Sequence, residues 1–349
     1  METNIIIDRD LLIKKFEKFC NDELRNYSSN RNFDLGSPHN NVSKLSPFIT
    51  RRFIDEKKIL LTTLKFHEIN KIEKFVEEVF WRTYWKGWLE SHPWIFQDYE
   101  KNNQFLEIPA KSGIKCFDHW TEELVETGYL HNHARMWYAS IWIFTLNKSW
   151  KLGANFFKQH LLDFCPASNT LGWRWVAGLQ TIGKHYLARA NNINFYTKNK
   201  FNPLNQLNEK ASSILSDNLN GKAINPISNK FIDITKMNEI GLVLNHNDLS
   251  LNYLLEEKNI NYKGCIFLQN ENTFKSTLLL KFEKKLIENI VNNHTDYELI
   301  LNFDQLISWS KRKKIKNLIF PFETVGNIIL NKKDLLNRLD KENINFIFY

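Results

Sequence analysis

The chain has 349 residues, of which 43% are hydrophobic and 25% are charged. This balance is ordinary for a globular protein and excludes a mostly disordered chain, while only 12 Gly and 8 Pro exclude a collagen-like or linker-rich composition. The net charge is +8, and residues 1–230 carry +7 of it, which favours a polyanionic partner such as nucleic acid.

The longest apolar run, Trp137–Leu146, is about half of the length needed to span a bilayer, so we expect a buried helix there and no membrane partner. Met1–Asp10 lacks the pattern of a secretory signal. The four cysteines are too widely spaced for a disulfide scaffold or a CxxC metal site. We therefore expect a cytoplasmic protein, and we expect it to be a monomer.

Residues 1–200 predict an all-helical region. Apolar residues recur at helical spacing over residues 51–65, 70–90, 116–127, 131–147 and 151–163. Two stretches rich in turn-forming residues, 28–41 and 163–172, predict loops. The polar, Asn-rich stretch 191–230 predicts a long connection.

The pattern then changes to alternating strands and helices. Short apolar runs predict buried strands at 241–244, 265–268, 298–301, 317–320 and 345–349. Helical patterns lie between them at 274–292, 303–313 and 331–341. This alternation predicts a small parallel α/β domain of Rossmann-like type, although it has no Gly-rich phosphate motif. We therefore predict a helical domain over 1–200, a linker over 201–235 and an α/β domain of unassigned role over 236–349.

Tryptophan is unusually concentrated in the helical region. Ten of the eleven indoles fall between Trp81 and Trp175, and only Trp309 lies outside this range. A large aromatic core accounts for part of this density. Indoles also stack on bases and flavins and can carry electrons, so the concentration indicates a site as well as a core.

Three segments carry candidate chemistry, and the first is Val42–Pro47, preceded by Tyr27 and Arg31. Hydroxyls, backbone amides and the ammonium of Lys44 lie there just before a predicted helix. Such a stretch suits a phosphate group, because a helix N-terminus has unpaired N–H groups and partial positive charge. The same residues are also typical of an ordinary helix cap.

The second segment places Glu78, Trp81 and Trp85 on one face of a helix. A carboxylate between two indoles is costly to bury without a partner. A ligand with N–H donors and flat rings would supply that partner. Alternatively, the helix is simply amphipathic, with Glu78 at the rim of its buried face.

The third segment places Asn132, Arg135 and Met136 on one helical face. Arg135 is positioned to pair with Asp163, which would hold a planar charged group rigidly, around a ligand or in a purely structural ion pair. His131 and His133 point apart on a helix and make a poor metal-binding pair.

Read together, these segments resemble the FAD-binding domain of the photolyase/cryptochrome family. The matching phrases are Ser43-Lys44-Leu45-Ser46-Pro47, Glu78-Val79-Phe80-Trp81-Arg82, Thr127-Gly128-Tyr129-Leu130-His131-Asn132 with Arg135-Met136, and Asn169 with Gly172-Trp173-Arg174-Trp175. Their order and spacing follow the family over about residues 20–190. The family's N-terminal α/β antenna domain has no match before them, so the chain resembles a short photolyase-like protein.

The resemblance implies a helical fold that holds FAD, and it implies roles for individual residues. Near the FAD phosphates it places Tyr27, Ser43, Lys44 and Leu45. Around the rest of the cofactor it places Glu78, Trp85, His131, Asn132, Arg135, Asp163, Cys165 and Asn169, with Asn169 facing N5 and Cys165 where the family usually has an acidic residue. Lining the substrate cavity it places Arg31, Glu78, Trp81, Asn132, Met136 and Trp175.

The resemblance also implies the reaction. Reduced FAD would donate an electron, under light, to a flipped cyclobutane pyrimidine dimer in single- or double-stranded DNA. Glu78 and Asn169 would assist, and Trp173 followed by Trp150 would carry electrons to the flavin. The family's terminal surface tryptophan has no match in residues 104–111, so we expect an exit through Trp142, Trp137 or a tyrosine.

Other functions remain open at this point. A cryptochrome-like photoreceptor would keep FAD and signal through a partner or through its C-terminal domain. A single-strand-binding module would use the indoles and basic residues without chemistry. Repair of (6-4) photoproducts would call on His131 and His133.

Overall fold

The structure is a computed structural model of the chain. It describes residues 7–101, 103–214, 221–225, 233–250, 258–268, 275–293, 297–300, 302–327 and 332–349. Parts of the predicted linker, 215–220 and 226–232, lie outside the described residues. So do residues 274, 301 and 331 at the ends of three predicted elements.

The described residues before position 200 contain helices and no strand, which confirms the all-helical prediction. The helices are α1 Arg9–Asp22, α2 Tyr27–Asn30, α3 Ser46–Thr50, α4 Glu56–Thr63, α5 Ile69–Ser91, α6 Pro93–Glu100, α7 Lys115–Thr127, α8 Asn132–Ser140, α9 Trp150–His160, α10 Pro166–Ala177 and α11 Ala190–Tyr196. A π-helical turn, Ile141–Thr145, extends α8. Across the described residues, none of the helices combines the length and the apolar character that crossing a membrane requires.

Three predicted boundaries in the helical region are wrong. The predicted loop 163–172 contains the start of α10 at Pro166, because proline fits the first turn of a helix, where its missing N–H would have no partner. Helix α11 lies inside the predicted polar connection. The predicted helix 51–65 begins only at Glu56, where the Asp55 carboxylate caps it by accepting from the Lys58 amide at 2.7 Å.

The C-terminal region forms a five-stranded sheet, as predicted. Its strands are β1 Ile240–Leu244, β2 Tyr262–Leu268, β3 Tyr297–Ile300, β4 Asn317–Phe320 and β5 Asn345–Phe348. They run in the order β3-β2-β1-β4-β5, and all neighbouring pairs are parallel. The helices of this region are α12 Thr277–Asn293, α13 Phe303–Arg312 and α14 Lys332–Lys341. Every residue of β1 is buried, as expected for a parallel sheet covered on both faces.

One face of the sheet shares a hydrophobic core with the N-terminal helices. Phe16 of α1 and Ile54 belong to the same buried cluster as Leu242 of β1, Phe267 of β2 and Phe282 of α12. The other helices enclose a second, aromatic core, and the opposite face of the sheet covers a third. The shared cluster joins the predicted helical and α/β domains, whose boundaries stay a prediction.

Polar contacts cross the same junction. The Leu249 amide donates to the carbonyl oxygen of Arg51 at 3.0 Å, and the Ser276 amide donates to that of Gln159 at 2.9 Å. The guanidinium of Arg51 forms a buried ion pair with Glu283, with Nη2 and Oε1 3.1 Å apart. These contacts fix α12 against the helical region.

The shared core predicts that both regions unfold together. Asn302 caps α13 by accepting from the Gln305 amide at 3.0 Å, so Asn302→Ala is expected to cost about 1 kcal/mol of unfolding free energy. In this variant, the urea midpoint measured by tryptophan fluorescence, which reports mainly on the helical region, should shift from that of the wild type. The shift should equal the one measured by circular dichroism. A fluorescence midpoint that stays in place would show two independent units.

Candidate functional site

Helix α10 brings the second and third sequence segments together. It packs against α5, α8 and α9. Asn169 and Trp173 on α10 therefore lie beside the helix that carries Glu78 and the helix that carries Arg135. Glu78 and Trp173, which are about 100 positions apart in the sequence, therefore lie on adjacent helices.

The carboxyl group of Asp163 is the point where these segments meet. Arg135 Nη2 lies 2.8 Å from Asp163 Oδ2, which confirms the predicted ion pair. The Thr50 hydroxyl donates to the backbone oxygen of Asp163 at 3.4 Å and accepts from Arg82 of α5. Burial raises the pKa of Asp163, but the charge and hydrogen bond of Arg135, a hydrogen bond from Ser46 and the charge of Arg82 outweigh it. The pKa of this carboxyl therefore lies below its ordinary value.

Helix α8 presents its predicted polar face to the accessible side. Asn132, Arg135 and Met136 retain exposed surface, whereas Ala134 and Trp137 between them are buried. The side chain of Arg135 keeps 24% of its exposure although it pairs with a buried carboxylate. A charged group that is paired at one edge and accessible at the other can receive a ligand.

Tyr129 links the Arg135 pair to the first segment. The ammonium of Lys44 lies 5.4 Å from the centre of its ring, and the guanidinium of Arg135 lies 5.7 Å from the same point. Both distances suit cation–π contacts. Two cations from separate segments therefore converge on one aromatic ring.

The α5 segment carries an exposed aromatic surface next to an ion pair. Trp81 is 43% exposed and stacks on Trp85 with ring centroids 5.7 Å apart. Glu78 Oε1 lies 2.6 Å from Arg31 Nη1, so Arg31 is the partner that the sequence left unidentified. On α10, Trp175 is 37% exposed. Two accessible indoles and a salt bridge thus offer stacking and polar contacts to a ligand.

The buried indoles Trp173 and Trp150 each contact another aromatic ring. Trp173 packs edge to face against Trp142, with ring centroids 6.3 Å apart. Trp150 stacks on Tyr99 at 5.9 Å. Among the described residues no ring contact joins Trp173 to Trp150. Trp142, which the sequence offers as an alternative exit, is thus the nearer indole in contact.

The other predicted residues divide by exposure. Asn169 is 8% exposed and donates its amide to the Ala154 carbonyl at 2.9 Å. Buried with it are Leu45, His131 and Cys165. Tyr27 and Ser43 are half-buried, and Lys44 is exposed. His131 caps α8 by accepting from the His133 amide, and burial lowers its pKa to about 4.

Sequence reasoning missed a buried polar cluster next to Lys44. Asp34, His39 and Glu123 are 3%, 1% and 9% exposed and lie together, although they span 89 positions of the chain. Gly36, Ser37 and Pro38 signal a turn before His39, but nothing in the spacing connects that turn to α7. Only the folded chain shows the contact.

The residues fit the flavin dinucleotide that the sequence predicts. Trp173 Nε1 is buried and has no hydrogen-bond partner among the described residues. Buried polar atoms without a partner are rare and indicate a missing one. Lys44 and Arg135 supply cations for an anionic ligand. Asp163, Arg135 and Asn169 supply the acceptor and donors that a flavin ring with N–H and C=O groups requires.

Comparison with known proteins finds relatives of this part of the chain. Residues 75–210 match the family model of the FAD binding domain of DNA photolyase. Curated relatives include the deoxyribodipyrimidine photo-lyases of Neurospora crassa, 27% identical over 184 residues, and of Agrobacterium fabrum, 29% identical over 182 residues. Each alignment covers 48% of this chain, and 30% and 37% of those proteins respectively.

The chain also matches solved structures in part. The cryptochrome of Synechocystis sp. PCC6803 is 19% identical with a TM-score of 0.47, and the match covers 56% of this chain and 44% of that one. The chain spans about a third of the length of the curated relatives it matches. The family match confirms the resemblance and the cofactor class that the sequence predicts. Residues 75–210 are thus similar to the FAD-binding domain of DNA photolyases.

Proposed function

We propose that this chain binds FAD and repairs cyclobutane pyrimidine dimers in ultraviolet-damaged DNA under light. The observation that carries this proposal is the convergence of three distant segments on Asp163, beside an accessible aromatic surface. When bound and reduced, FAD supplies the light-driven electron that splits the dimer. The chain's own residues bind, orient and shield the reactants.

Orientation of the flavin rests on charge and hydrogen bonding. The Asp163 carboxylate fixes Arg135, which then points one rigid set of N–H donors toward the ligand. Asn169 offers an amide held by the Ala154 carbonyl. Lys44 offers an ammonium to the diphosphate. Because these groups are held before the ligand arrives, little ordering remains to oppose binding.

Recognition of the damaged strand rests on the exposed indoles and on basic charge. Trp81 and Trp175 are positioned to stack on extruded bases, and extrusion costs least where a lesion has already weakened pairing. Glu78, held by Arg31, is an acceptor for the polar edge of a base. The charge of +7 in residues 1–230 favours binding to phosphates, so we expect affinity for DNA to fall with salt.

The decisive experiment combines cofactor content with repair. The purified protein should release FAD on denaturation and should repair dimer-containing oligonucleotides under blue light. Glu78→Gln should lower the repair yield about tenfold or more, because it removes a charged acceptor, and should lower the FAD content by less than the repair yield.

The matched control is Glu77→Gln, one residue earlier on α5. Glu77 is 56% exposed at its side chain and pairs with Lys74 at the surface, so its loss should change neither FAD content nor repair. Absence of FAD after attempted reconstitution would end the proposal. Equal repair by the Glu78 variant and the wild type would remove Glu78 from the substrate site.

A cryptochrome-like photoreceptor is the second candidate, and one set of contacts favours it. Arg51 donates to the carbonyl of Leu162, next to Asp163, and also pairs with Glu283 of α12. A change at the flavin site therefore has a short route to the α/β region. FAD binding and photoreduction without any repair would support this candidate instead.

A further inference from the structure

A buried histidine joins the first segment to helix α7. His39 Nε2 lies 2.6 Å from Glu123 Oε1, and its Nδ1 lies 3.5 Å from Asp34 Oδ1. The histidine is 1% exposed. Two carboxyl groups at such depth are costly unless polar partners compensate for lost water. His39 Nε2 compensates for Glu123, whereas its Nδ1 faces Asp34 without making a hydrogen bond.

Asp34 is itself held from several sides. Its Oδ2 accepts from Trp120 Nε1 at 2.9 Å, and its Oδ1 accepts from the Gly36 amide at 3.2 Å. Both Trp120 and Glu123 belong to α7. The turn between Asp34 and His39 is therefore tied to one helix at its beginning and at its end.

The backbone at His39 is shaped for this contact. Its φ is +53°, in the left-handed region that most residues other than glycine avoid and that histidine, asparagine and aspartate enter more readily. The Val42 amide donates to the His39 carbonyl at 3.2 Å, which closes a turn directly before Ser43. Fixing His39 therefore fixes where Ser43 and Lys44 begin.

Glu123 also acts on Lys44. Desolvation lowers the pKa of the Lys44 ammonium, and the negative charge of Glu123 opposes this lowering. The same carboxylate thus contacts His39 and favours the charged form of the lysine that is predicted to meet the diphosphate.

We propose that His39 is a positioning residue, which anchors the segment 34–45 between Asp34 and Glu123 so that Ser43 and Lys44 are presented to the diphosphate of the cofactor. This inference rests on the proposed function, because it assigns a role within the same FAD site. It predicts a specific loss of binding for ligands that carry the diphosphate.

The test uses His39→Asn, because asparagine tolerates a positive φ but cannot reach Glu123. The dissociation constant for FAD should rise about tenfold or more, while that for riboflavin, which lacks phosphate, should change by less than about twofold. In the FAD-free protein, hydrogen exchange of amides 36–45 should become faster. An equal change for both ligands, or no change for FAD, would overturn the proposal.

His67→Asn is the matched control. His67 Nε2 contacts the Cys20 carbonyl at 2.7 Å, away from the segment 34–45, so its loss should leave the FAD affinity and the exchange of amides 36–45 unchanged. A wild-type protein that binds no FAD would refute the proposed function. In that case the exchange measurement alone decides the anchoring role, and unchanged exchange in the His39 variant overturns it.

Discussion

Replacing Glu283 with glutamine is expected to lower the free energy of unfolding by about 3–5 kcal/mol, which is the usual cost of breaking a buried ion pair from one side. Glu283 is 5% exposed. Its carboxylate lies 3.1 Å from Arg51 Nη2 and 2.6 Å from Lys275 Nζ. The variant leaves both cations at the junction of the sheet and the helices without a counter-charge. Urea titrations at pH 7 measure the loss.

The pH dependence provides a second signature of the same pair. Burial raises the pKa of Glu283, but the charges of Arg51, His246 and Lys275 outweigh it and lower the pKa from 4.5 to about 2. The folded state therefore binds the proton more weakly than the unfolded state does. The stabilisation is complete above about pH 4.5 and is lost as the pH falls toward 2. The difference between wild type and variant should therefore narrow below about pH 4.5.

Glu288→Gln, on the same helix, is the matched control. Glu288 pairs with Lys284 at 3.8 Å, and both side chains are more than half exposed. Such surface pairs contribute about 0–1 kcal/mol, so this variant should unfold nearly like the wild type. A Glu283 variant that behaves like the Glu288 variant would contradict the buried-pair interpretation.

The sequence predicts the sheet well because the strands are set by local pattern. All five strands overlap the apolar runs found in the sequence. The runs 241–244 and 265–268 are buried in β1 and β2, and a strand buried on both faces is apolar throughout. Helix α10 is missed for the opposite reason. Its first turn contains Pro166, Ser168 and Asn169, which are typical of loops but equally acceptable at a helix start.

The site shows a similar division between local and long-range information. Spacing on one helix predicts that Asn132, Arg135 and Met136 share an accessible face, and the structure agrees. Partners from distant segments are not encoded in spacing. Arg31 lies 47 positions from Glu78, and His39 lies 84 positions from Glu123. Such pairs between residues distant in the sequence form only when the chain has folded, and the composition allows many other pairings of charged residues.

Gly153→Ala is expected to destabilise the aromatic core by about 1–3 kcal/mol, as overpacking does. A Cβ at this position would lie 2.2 Å from the Trp173 ring and 3.0 Å from Trp142 Nε1. Trp173 is 2% exposed and has no room to retreat. The cost should outweigh the gain of about 1 kcal/mol that alanine normally brings to a helix interior. Urea titrations of the FAD-free protein measure the balance.

Gly87→Ala on α5 should have the opposite sign. A Cβ there would meet no atom within 4 Å, so only the gain in helix propensity of about 0.5–1 kcal/mol remains. In the Gly153 variant, displacement of the Trp173 ring should also change the near-ultraviolet circular dichroism, to which coupled indoles contribute. If both substitutions stabilise the protein, Trp173 and Trp142 are not held against each other across Gly153.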